Sequence, residues 1–534
     1  MKRTKSILAA ALALGIAFGL IACGGKKDES SGTNGGTAQT GGNSSSGGGV
    51  KSTSKHVVIN YMTTGNKPTN GATEKMLEKL NAILNEKCNA ELQIYYIPWT
   101  DYLTNYNLTL AQMDGSVDLV GTATDWLDAW KNSKNGAFLP LTEDMLKTNC
   151  PKTYASVSKE HWEMCKYNGD IYLIPEDNYA QWINHGFMYR GDWAKEAGLT
   201  NGVHSWEDMT TYFRSVKQKH PDIIPWDSDG GEATQLSGGY FASKNSFIPL
   251  DGINVYGMFG VNKSNLKKIY SPFLEGDDLV EFAKLMKQWD ELGVWKKDVL
   301  NNTSSSNREE MYLGQVAAEQ HHTQTWYTNV RPKLDENVPG SDCQFFWFGE
   351  ESKTLTRMLI THGAMAISAG SKNPERALMV YDLIRNDKDC YNLFNYGILG
   401  EQYVIDGNGY RDRPAGYTDD ANGITTNYWW GRNDDLEIRD AKGAWPQYDE
   451  ISKIYESVAI DYPYGQIVWD VDNINTQLEN ISDVQANYMT RIAYGKVDDP
   501  AKFVAEYRAA LKKAGIESVI AEVQKQVDAF LAGK

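Results

Sequence analysis

HVVINY at residues 56–61, AELQIYYIP at 90–98 and VDLVGT at 117–122 are short runs rich in β-branched and aromatic residues. Between the first two lies GATEKMLEKLNAILNEKC at 71–88, whose apolar residues recur at helical spacing, and DYLTNYNLTLAQ at 101–112 separates the second from the third. Strands that alternate with helices form a parallel sheet covered on both faces. This opening stretch therefore predicts an α/β fold.

Later segments keep the same pattern. DLVEFAKLMKQWDELG at 278–293 predicts a helix with one apolar face, ended by Gly293. That face is formed by Leu279, Phe282, Ala283, Met286 and Trp289. Residues 501–531 are predicted to be helical, with Val504, Tyr507, Leu511, Val519, Val523 and Val527 as apolar stripes. Since no solenoid or propeller period is present, we expect one α/β unit or a pair of them.

The N-terminus has the features of a secretory leader. Lys2, Arg3 and Lys5 precede an apolar run at residues 7–22, which is shorter than the roughly 20 residues that span a bilayer. The run ends in LIAC at 20–23, which resembles the lipobox of bacterial lipoproteins. This resemblance implies that residues 1–22 are removed as a signal peptide and that Cys23 carries lipid.

Residues 24–50 consist mainly of glycine, serine, threonine and asparagine. Such a segment buries too little apolar surface to offset its ordering entropy, so we expect a flexible tether over 23–54. The body would then be held at the extracellular face of the cell membrane by a lipid anchor. No other apolar run is long enough to span a membrane.

The chain is strongly acidic, and its charge narrows the possible partners. Loss of three cationic leader residues would change the formal charge from −16 to −19. A surface this acidic repels phosphate backbones and anionic lipids, so nucleic acid is excluded as a partner. A neutral or cationic ligand fits better than an anionic one.

The cysteines do not indicate a metal knuckle or a disulfide scaffold. Besides Cys23 there are five, an odd number without a CxxC motif, namely Cys88, Cys150, Cys165, Cys343 and Cys390. Cys150 and Cys165 could form a disulfide or could remain free buried thiols. No cofactor and no metal are expected.

Five ordered stretches resemble the family 1 extracellular solute-binding proteins, the sugar receptors of ABC importers related to maltose-binding protein. The match spans about residues 57–386 and is looser beyond Asp406, where the chain resembles the LplA-like lipoprotein subgroup. The stretches are VVINYMTTG, VDLVGTATDWLDAWKNSKNGAFLPLTEDM, YNGDIYLIPEDNYAQWINHGFMYRGDWAKEAGL, MYLGQVAAE and HGAMAISAGSKNPERALMVYDLI. The last stretch matches the family pattern A-I-S-x-x-S-K-N-P-E-x-A and is the most specific.

The resemblance implies a two-lobed fold of the periplasmic-binding-protein type II, with mixed sheets flanked by helices and a hinge of crossing segments. Lobe one would comprise residues 55–183 and 356–405, and lobe two residues 184–355 and 406–534. An oligosaccharide would bind between the lobes and be delivered to separate ABC transporter permease subunits. The receptor itself is expected to be a monomer without catalytic residues.

An oligosaccharide cleft needs flat aromatic faces and side chains that pair with hydroxyls. The chain has 16 Trp and 30 Tyr, many of them in predicted loops. Our candidate ligand-binding residues are Asp125, Trp126, Glu176, Asn178, Trp182, Trp226, Tyr240, Gln324, Trp326 and Trp347. The resemblance places Trp126, Trp182 and Trp326 at the cleft rim. By contrast, Trp289 and Trp295 are expected in the core, and Trp429 and Trp430 are left open.

EQHHTQTW at residues 319–326 has two adjacent histidines and could be a metal site. Adjacent residues of a strand point to opposite faces, so His321 and His322 are poorly placed to share one ion. A helical Glu-x-x-His reading needs a second such motif, and no other histidine has a glutamate three residues before it. We therefore expect a strand followed by a loop at the cleft, with Gln324 and Trp326 more important than the histidines. His322 is a secondary cleft candidate.

Two other classes of function remain open at this point. No GxSxG, Walker A, HExxH or dinucleotide motif occurs, but a glycoside hydrolase needs only a pair of carboxylates, and the chain has 69 acidic residues. A polysaccharide adhesin is the other alternative. DGNGYRD at 406–412 and WDSDGGE at 226–232 have calcium-loop features, although the first is more simply explained as a hairpin.

Overall fold

The computed structural model describes residues 53–177, 182–228, 230–253, 257–301 and 308–532. The expected signal peptide, the lipidation site Cys23, most of the tether and Asn178 lie outside these ranges. Among the described residues, no helix is both long enough and apolar enough to cross a membrane. Two large buried clusters organise the chain, and each forms the core of one lobe.

A five-stranded sheet forms the centre of lobe one, in the order β2-β1-β3-β13-β6. Its strands are β1 (Val57–Thr64), β2 (Ala90–Ile97), β3 (Leu119–Thr122), β6 (Ile174–Pro175) and β13 (Ala364–Ile367). β1 pairs in parallel with β2 and β3, whereas β13 runs antiparallel to β3 and β6. The predicted parallel opening is confirmed, and the returning strand β13 makes the sheet mixed.

Helices cover both faces of this sheet. They are α1 (Ala72–Cys88), α2 (Tyr102–Gln112), α3 (Ala129–Lys134), α4 (Glu143–Asn149), α5 (Pro151–Ser156), α6 (Lys159–Glu163), α14 (Pro374–Asn386), α15 (Lys388–Tyr396) and α16 (Asp419–Asn422). Two short ribbons complete the lobe, β4 (Lys166–Tyr167) with β5 (Asp170–Ile171) and β14 (Val404–Ile405) with β15 (Arg411–Asp412). In α1, Met76, Leu80 and Leu84 are fully buried at i, i+4 spacing, as the sequence predicted.

Lobe two is built on a three-stranded antiparallel sheet in the order β11-β7-β12. Its strands are β7 (His185–Arg190), β11 (Ala318–His322) and β12 (Cys343–Trp347). Successive residues of β7 alternate between two cores, since Phe187 and Tyr189 belong to the large cluster and Met188 to a smaller one on the opposite face. The sheet is therefore buried on both faces.

The remaining elements of lobe two surround this sheet. The helices are α7 (Gly191–Glu196), α8 (Trp206–Lys219), α9 (Ala233–Asn245), α10 (Asp278–Leu292), α11 (Glu309–Tyr312), α12 (Thr323–Thr325), α13 (Arg331–Asn337), α17 (Trp445–Val458), α18 (Asn475–Ala493), α19 (Pro500–Ala514) and α20 (Ile516–Ala532). A 3₁₀ turn at Val299–Asn301, a π-helical turn at Trp326–Val330 and a second sheet of β8 (Phe247–Pro249), β9 (Gly260–Asn262) and β10 (Asn265–Tyr270) complete it.

The predicted apolar faces of α10, α19 and α20 are confirmed. Leu279, Phe282, Ala283, Met286 and Trp289 are the buried residues of α10, which ends at Gly293 with φ +72°. The C-terminal helical region is two helices rather than one, because Gly515 at φ +94° ends α19. Trp289 and Trp295 lie in the core as expected, with 0 % and 2 % exposure.

The boundary expected between residues 405 and 406 does not follow the packing. The segment from 423 to 438 stays with lobe one, where Trp430 is fully buried in the lobe-one core. The backbone oxygen of Asn427 accepts hydrogen bonds from the hydroxyls of Tyr61 and Thr63, both at 3.0 Å. The chain reaches lobe two only at about residue 444, where the Ala444 N–H donates to the Tyr327 carbonyl at 2.9 Å. The sequence match was loose here, so the boundary was displaced.

The chain crosses between the lobes from β6 to β7, from β12 to β13 and from β15 to α17. The second crossing pairs with the segment that follows α17, through a parallel bridge between Thr356 and Ile460. Cys88, Cys150, Cys165, Cys343 and Cys390 are all buried free thiols, so Cys150 and Cys165 are not bridged.

Candidate functional site

Two adjoining cavities lie between the lobes, and we call them together the cleft. The first, of about 470 Å³, is lined by Asp125 and Trp126 of lobe one and by lobe-two residues that include Gln235 and Asp251. The second, of about 390 Å³, is lined by Trp126, Glu176, His362, Trp429, Trp430 and Arg432 of lobe one and by His185, His322 and Gln324 of lobe two. Trp126, Ile183 and His185 line both cavities, which makes the cleft continuous.

Strand ends of the lobe-one sheet position the first wall of the cleft. Asp125 and Trp126 follow β3, and Glu176 follows β6 directly. Loops at one edge of an α/β sheet meet at that edge, so these side chains converge although they are far apart in sequence. Gly363 precedes β13 and is needed there, since a Cβ atom at this position would lie 2.3 Å from the Trp429 carbonyl oxygen and 2.7 Å from Glu176 Oε2.

Four buried polar atoms at the cleft have no hydrogen-bond partner among the described residues. They are Asp125 Oδ1, Trp126 Nε1, Glu176 Oε2 and Gln235 Oε1. Buried polar atoms are almost always paired, and leaving one unpaired costs about 1–3 kcal/mol. Their convergence on one cleft indicates that a ligand or water supplies the missing partners. Three of the four atoms are oxygens, so the site favours a ligand rich in O–H or N–H donors.

His362 connects carboxylates from both lobes. Its Nδ1 lies 2.6 Å from Asp125 Oδ2. Burial alone would lower the pKa of His362, but the nearby carboxylates of Asp125, Glu176 and Asp251 raise it. Asp251 belongs to lobe two, so charges of the two lobes meet across the cleft.

The two acids that face His362 are themselves perturbed. Burial raises the pKa of Glu176 to about 8, opposed by the positive charges of His362, Arg432 and Arg385. Burial also raises the pKa of Asp251 to about 7, together with the charge of Asp125. Near neutral pH, Glu176 is therefore largely protonated and can donate a hydrogen bond as well as accept one.

His322 of EQHHTQTW lies on the lobe-two wall with His185, and the ring of His321 packs beside both. The His321 and His322 ring centroids are 4.1 Å apart, and His185 lies 5.6 Å from the first and 5.9 Å from the second. Strand alternation does not keep the rings of His321 and His322 apart, because the strand ends at His322, where the chain turns into α12. The prediction of a strand is right, but TQT is helical rather than a loop.

Each of these rings is held by the protein and is uncharged at neutral pH. Nδ1 of His322 accepts from the Thr325 N–H at 3.3 Å, and Nδ1 of His321 lies 2.8 Å from Thr325 Oγ1. Burial lowers the pKa of His185 to about 4 and that of His322 to about 3. Within the described part of the chain, no group of three or more His, Cys, Asp or Glu side chains is arranged to hold a metal ion.

Aromatic rings form the flat surface of the lobe-one wall. Trp126 stacks on Trp430 with ring centroids 5.6 Å apart and planes inclined by 23°. Trp429 lies 6.4 Å from Trp126 and is 39 % exposed. Trp430 reaches the sheet because Gly121 of β3 leaves room for its indole, which would lie 2.2 Å from a Cβ atom there. A flat apolar ring of this kind, with polar groups nearby, suits the C–H face of a pyranose.

The structure brings five of the predicted ligand-binding residues to the cleft. Asp125, Trp126 and Trp182 line the first cavity, and Trp126, Glu176 and Gln324 line the second. Asn178 lies outside the described residues.

Four other predicted residues are in core positions instead. Trp226 is fully buried and packs edge to face on Phe187, and Tyr240 is 7 % exposed and packs on Trp206. Trp326 stacks on Phe345 and donates its Nε1–H to the Cys343 carbonyl at 3.1 Å. Trp347 is 3 % exposed against Tyr455. In each case an indole or phenol ring fills the interior of lobe two, which the sequence could not distinguish from a cleft position.

Four cleft residues were missed from the sequence, namely His185, Gln235, Asp251 and His362, and Trp429 and Trp430, which the sequence left open, also line the cleft. His362 precedes β13 in the most specific of the five family-like stretches, so its position before a strand was the available signal. Trp429 and Trp430 lie in the loosely matched region. The candidate calcium loop at 406–412 is the expected hairpin, in which Asp406 Oδ1 accepts from the N–H groups of Asn408 and Tyr410, both at 2.8 Å.

Comparison with known proteins identifies related chains. Residues 67–385 match the family model described as bacterial extracellular solute-binding protein, and residues 463–532 match a domain of unknown function, DUF3502. The chain is 24 % identical over 552 residues to a carbohydrate ABC transporter substrate-binding protein of Streptococcus pneumoniae serotype 4, covering 99 % of both chains.

Two solved structures share the fold. The N-glycan transport solute binding protein NgtS of Streptococcus pneumoniae superposes with a TM-score of 0.69 at 22 % identity, over 90 % of this chain and 99 % of that one. NgtS has also been solved in complex with Man1GlcNAc and with Man5GlcNAc. An HMO-binding, ABC-transporter-associated solute binding protein of Bifidobacterium longum infantis has a TM-score of 0.64 at 15 % identity, over 89 % of this chain and 99 % of that one.

Proposed function

The chain belongs to the family of bacterial extracellular solute-binding proteins, and on this premise we propose that it captures a neutral oligosaccharide in the cleft and delivers it to an ABC importer. It acts as a receptor outside the cell and is not an enzyme. The relative in Streptococcus pneumoniae is named for carbohydrate transport, and NgtS for N-glycan transport.

One observation carries the proposal. The same cleft combines stacked indoles on one wall with four buried polar atoms that have no partner in the described part of the chain, Asp125 Oδ1, Trp126 Nε1, Glu176 Oε2 and Gln235 Oε1. A saccharide offers both an apolar ring face and a dense set of hydroxyls, so it satisfies both requirements at once. A purely apolar ligand would leave the polar atoms unpaired.

The charges at the cleft support a neutral ligand. Asp125 of lobe one and Asp251 of lobe two line the same cavity, and the whole chain has a formal charge of −16. A uronic acid or a sulfated sugar would bring further negative charge to these carboxylates. Capture of the ligand by both lobes would favour a closed arrangement only through contacts that the two lobes make together.

The transport role requires partners on separate chains. The permease subunits would receive the ligand from this receptor, which acts as a monomer held at the outer face of the membrane by lipid on Cys23. The LIAC motif and the glycine- and serine-rich residues that follow it support this anchor. Mass spectrometry of the protein extracted from membranes tests it, since Cys23→Ala should remove both the lipid mass and the membrane association.

A binding experiment separates this function from its alternatives. The chain without its predicted signal peptide and tether, residues 55–534, is called the soluble body here. It should be screened by thermal shift against Man1GlcNAc, Man5GlcNAc and neutral oligosaccharides of graded length. A ligand present at about 100 times its Kd stabilises by roughly 2.7 kcal/mol, which gives a clear rise in Tm. A hydrolase would release new reducing ends, and an adhesin would bind polymer but not short oligomers. The absence of a thermal shift with every member of the panel would contradict the proposal.

A further inference from the structure

The aromatic surface of the cleft wall extends beyond the two cavities. Trp99, which follows β2, stacks on Trp429 with ring centroids 6.0 Å apart and planes inclined by 29°. Trp99 also packs edge to face on Tyr102 at 5.6 Å, and Tyr102 contacts Trp126 at 6.1 Å. The rings therefore continue from the buried Trp430 through Trp126 and Trp429 to Trp99 at the outer edge of lobe one.

Trp99 and Trp429 are unusually exposed for tryptophan. Their exposed fractions are 43 % and 39 %, whereas Trp430 and Trp226 are fully buried. Single exposed apolar side chains are common on proteins, but a contiguous pair of large rings beside a binding cleft marks an interaction surface.

The position of Trp99 is fixed by its surroundings. The backbone N–H of Trp99 donates to Asn66 Oδ1 at 3.4 Å, which links the loop after β2 to the loop after β1. Tyr102 begins α2, and its ring supports one edge of the Trp99 indole. The exposed face is thus held in place before any ligand arrives, which reduces the entropy that binding must offset.

From this arrangement we propose that Trp99, with the exposed part of Trp429, forms an outer subsite for a sugar unit that extends beyond the cleft. The inference rests on the proposed function and sharpens it: the preferred ligand is a neutral oligosaccharide too long to be enclosed by the two cavities. Because the ring surface is continuous with the cleft wall, the occupant is the outer part of the same ligand. Short ligands occupy the cleft without reaching Trp99.

The test is the gain in affinity from short to long ligands, measured by calorimetry on the whole soluble body. Man1GlcNAc and Man5GlcNAc serve as the first pair, and manno-, xylo- and maltooligosaccharides of graded length as the others. Trp99→Ala should lower the ratio of short-ligand to long-ligand Kd by about three- to tenfold, the loss of one aromatic contact. Trp99→Phe should retain part of the gain.

Two further variants separate a ligand contact from a change in folding. Tyr95→Ala removes a comparably exposed aromatic ring, 40 % exposed, from β2, the strand before Trp99, and should leave the ratio unchanged. Trp429→Ala should weaken the binding of short ligands as well as long ones, because Trp429 also lines the second cavity. A Trp99→Ala protein with an unaltered ratio would overturn the outer subsite alone. An unaltered protein that binds none of the panel would remove the proposed function, and the outer subsite with it.

Discussion

His362 Nδ1 lies 2.6 Å from Asp125 Oδ2, and this contact connects the loop after β3 with the chain returning from lobe two to β13. The other carboxylate oxygen of Asp125, Oδ1, is buried without a partner among the described residues. Asp125 thus uses one oxygen to hold a histidine, and we propose that the other contacts the ligand. The same pair faces Asp251 of lobe two, so the charged groups around His362 come from both lobes.

Asp125→Asn should weaken ligand binding by at least about tenfold, because a hydrogen bond to a charged group contributes roughly 1.5–3 kcal/mol. It should also lower the pKa of His362, which loses the nearest of the carboxylates that raise it. Calorimetry measures the first effect and an NMR titration of the imidazole the second.

Asp387→Asn is the matched control, since Asp387 pairs with Lys87 in lobe one and does not line the cleft. It should leave ligand affinity unchanged. Equal losses of affinity in the two variants would mean that Asp125 acts through general charge rather than through a contact.

Glu176→Gln should stabilise the ligand-free protein at high pH but not at low pH. The folded-state pKa of about 8 lies above the ordinary value of 4.5, so the folded state holds an extra proton between these pH values. Stability conferred by the protonated group is present below about pH 4.5 and is lost as pH rises through 8. The variant does not lose this stability and should therefore be more stable than the unaltered protein by on the order of 5 kcal/mol at pH 9.

Denaturant unfolding at pH 4 and pH 9 measures this difference. Glu281→Gln, on the exposed side of α10 beside Lys284, is the control and should show no comparable pH dependence. A gain of the same size at both pH values for Glu176→Gln would contradict the raised pKa.

His185→Gln should make the protein less sensitive to acid. Burial lowers the pKa of His185 from 6.5 to about 4, so its contribution to stability is present above the unfolded value and is lost as pH falls through the folded one. Between pH 7 and pH 4 the variant should lose about 2 kcal/mol less than the unaltered protein. His56→Gln, at a partly exposed histidine, is the control. A similar gain in acid stability in that variant would exclude a specific effect of the burial of His185.

Trp126→Ala should weaken oligosaccharide binding by at least about tenfold, because Trp126 lines both cavities and its Nε1 has no partner among the residues that the structure describes. Trp445→Ala removes another partly buried indole, one that packs on Tyr327 away from the cleft, and should leave the Kd unchanged. Calorimetry with the best ligand of the panel, after circular dichroism shows that both variants fold, measures the contrast. A Trp126 variant with undiminished affinity would remove the stacking role.

The sequence was most informative where hydrophobic spacing alone decides the structure. The faces of α1 and α10 followed from the spacing of their apolar residues, and the parallel strands at the start followed from their alternation with helices. Asp125, Trp126 and Glu176 could be placed at the cleft because they follow strands. Position after a strand is a local feature that the sequence displays.

The remaining cleft residues depend on long-range packing. Trp226 and Trp326 have the same local setting as Trp126, a tryptophan beside a predicted loop, yet they fill the interior of lobe two. Trp429 reaches the cleft only because the 423–438 segment folds back onto lobe one, and no local pattern indicates that return. Likewise, the contact of His321 with His322 arises where β11 turns into a helix.

The most direct test of the account is calorimetric titration of the soluble body with the neutral oligosaccharide that gives the largest thermal shift, followed by mass spectrometry of the recovered sugar. We expect saturable one-to-one binding, reduced by Asp125→Asn and by Trp126→Ala, with the oligosaccharide recovered intact. Binding that both variants leave unchanged, or a sugar recovered in shorter pieces, would contradict the assignment of the cleft as the receptor site.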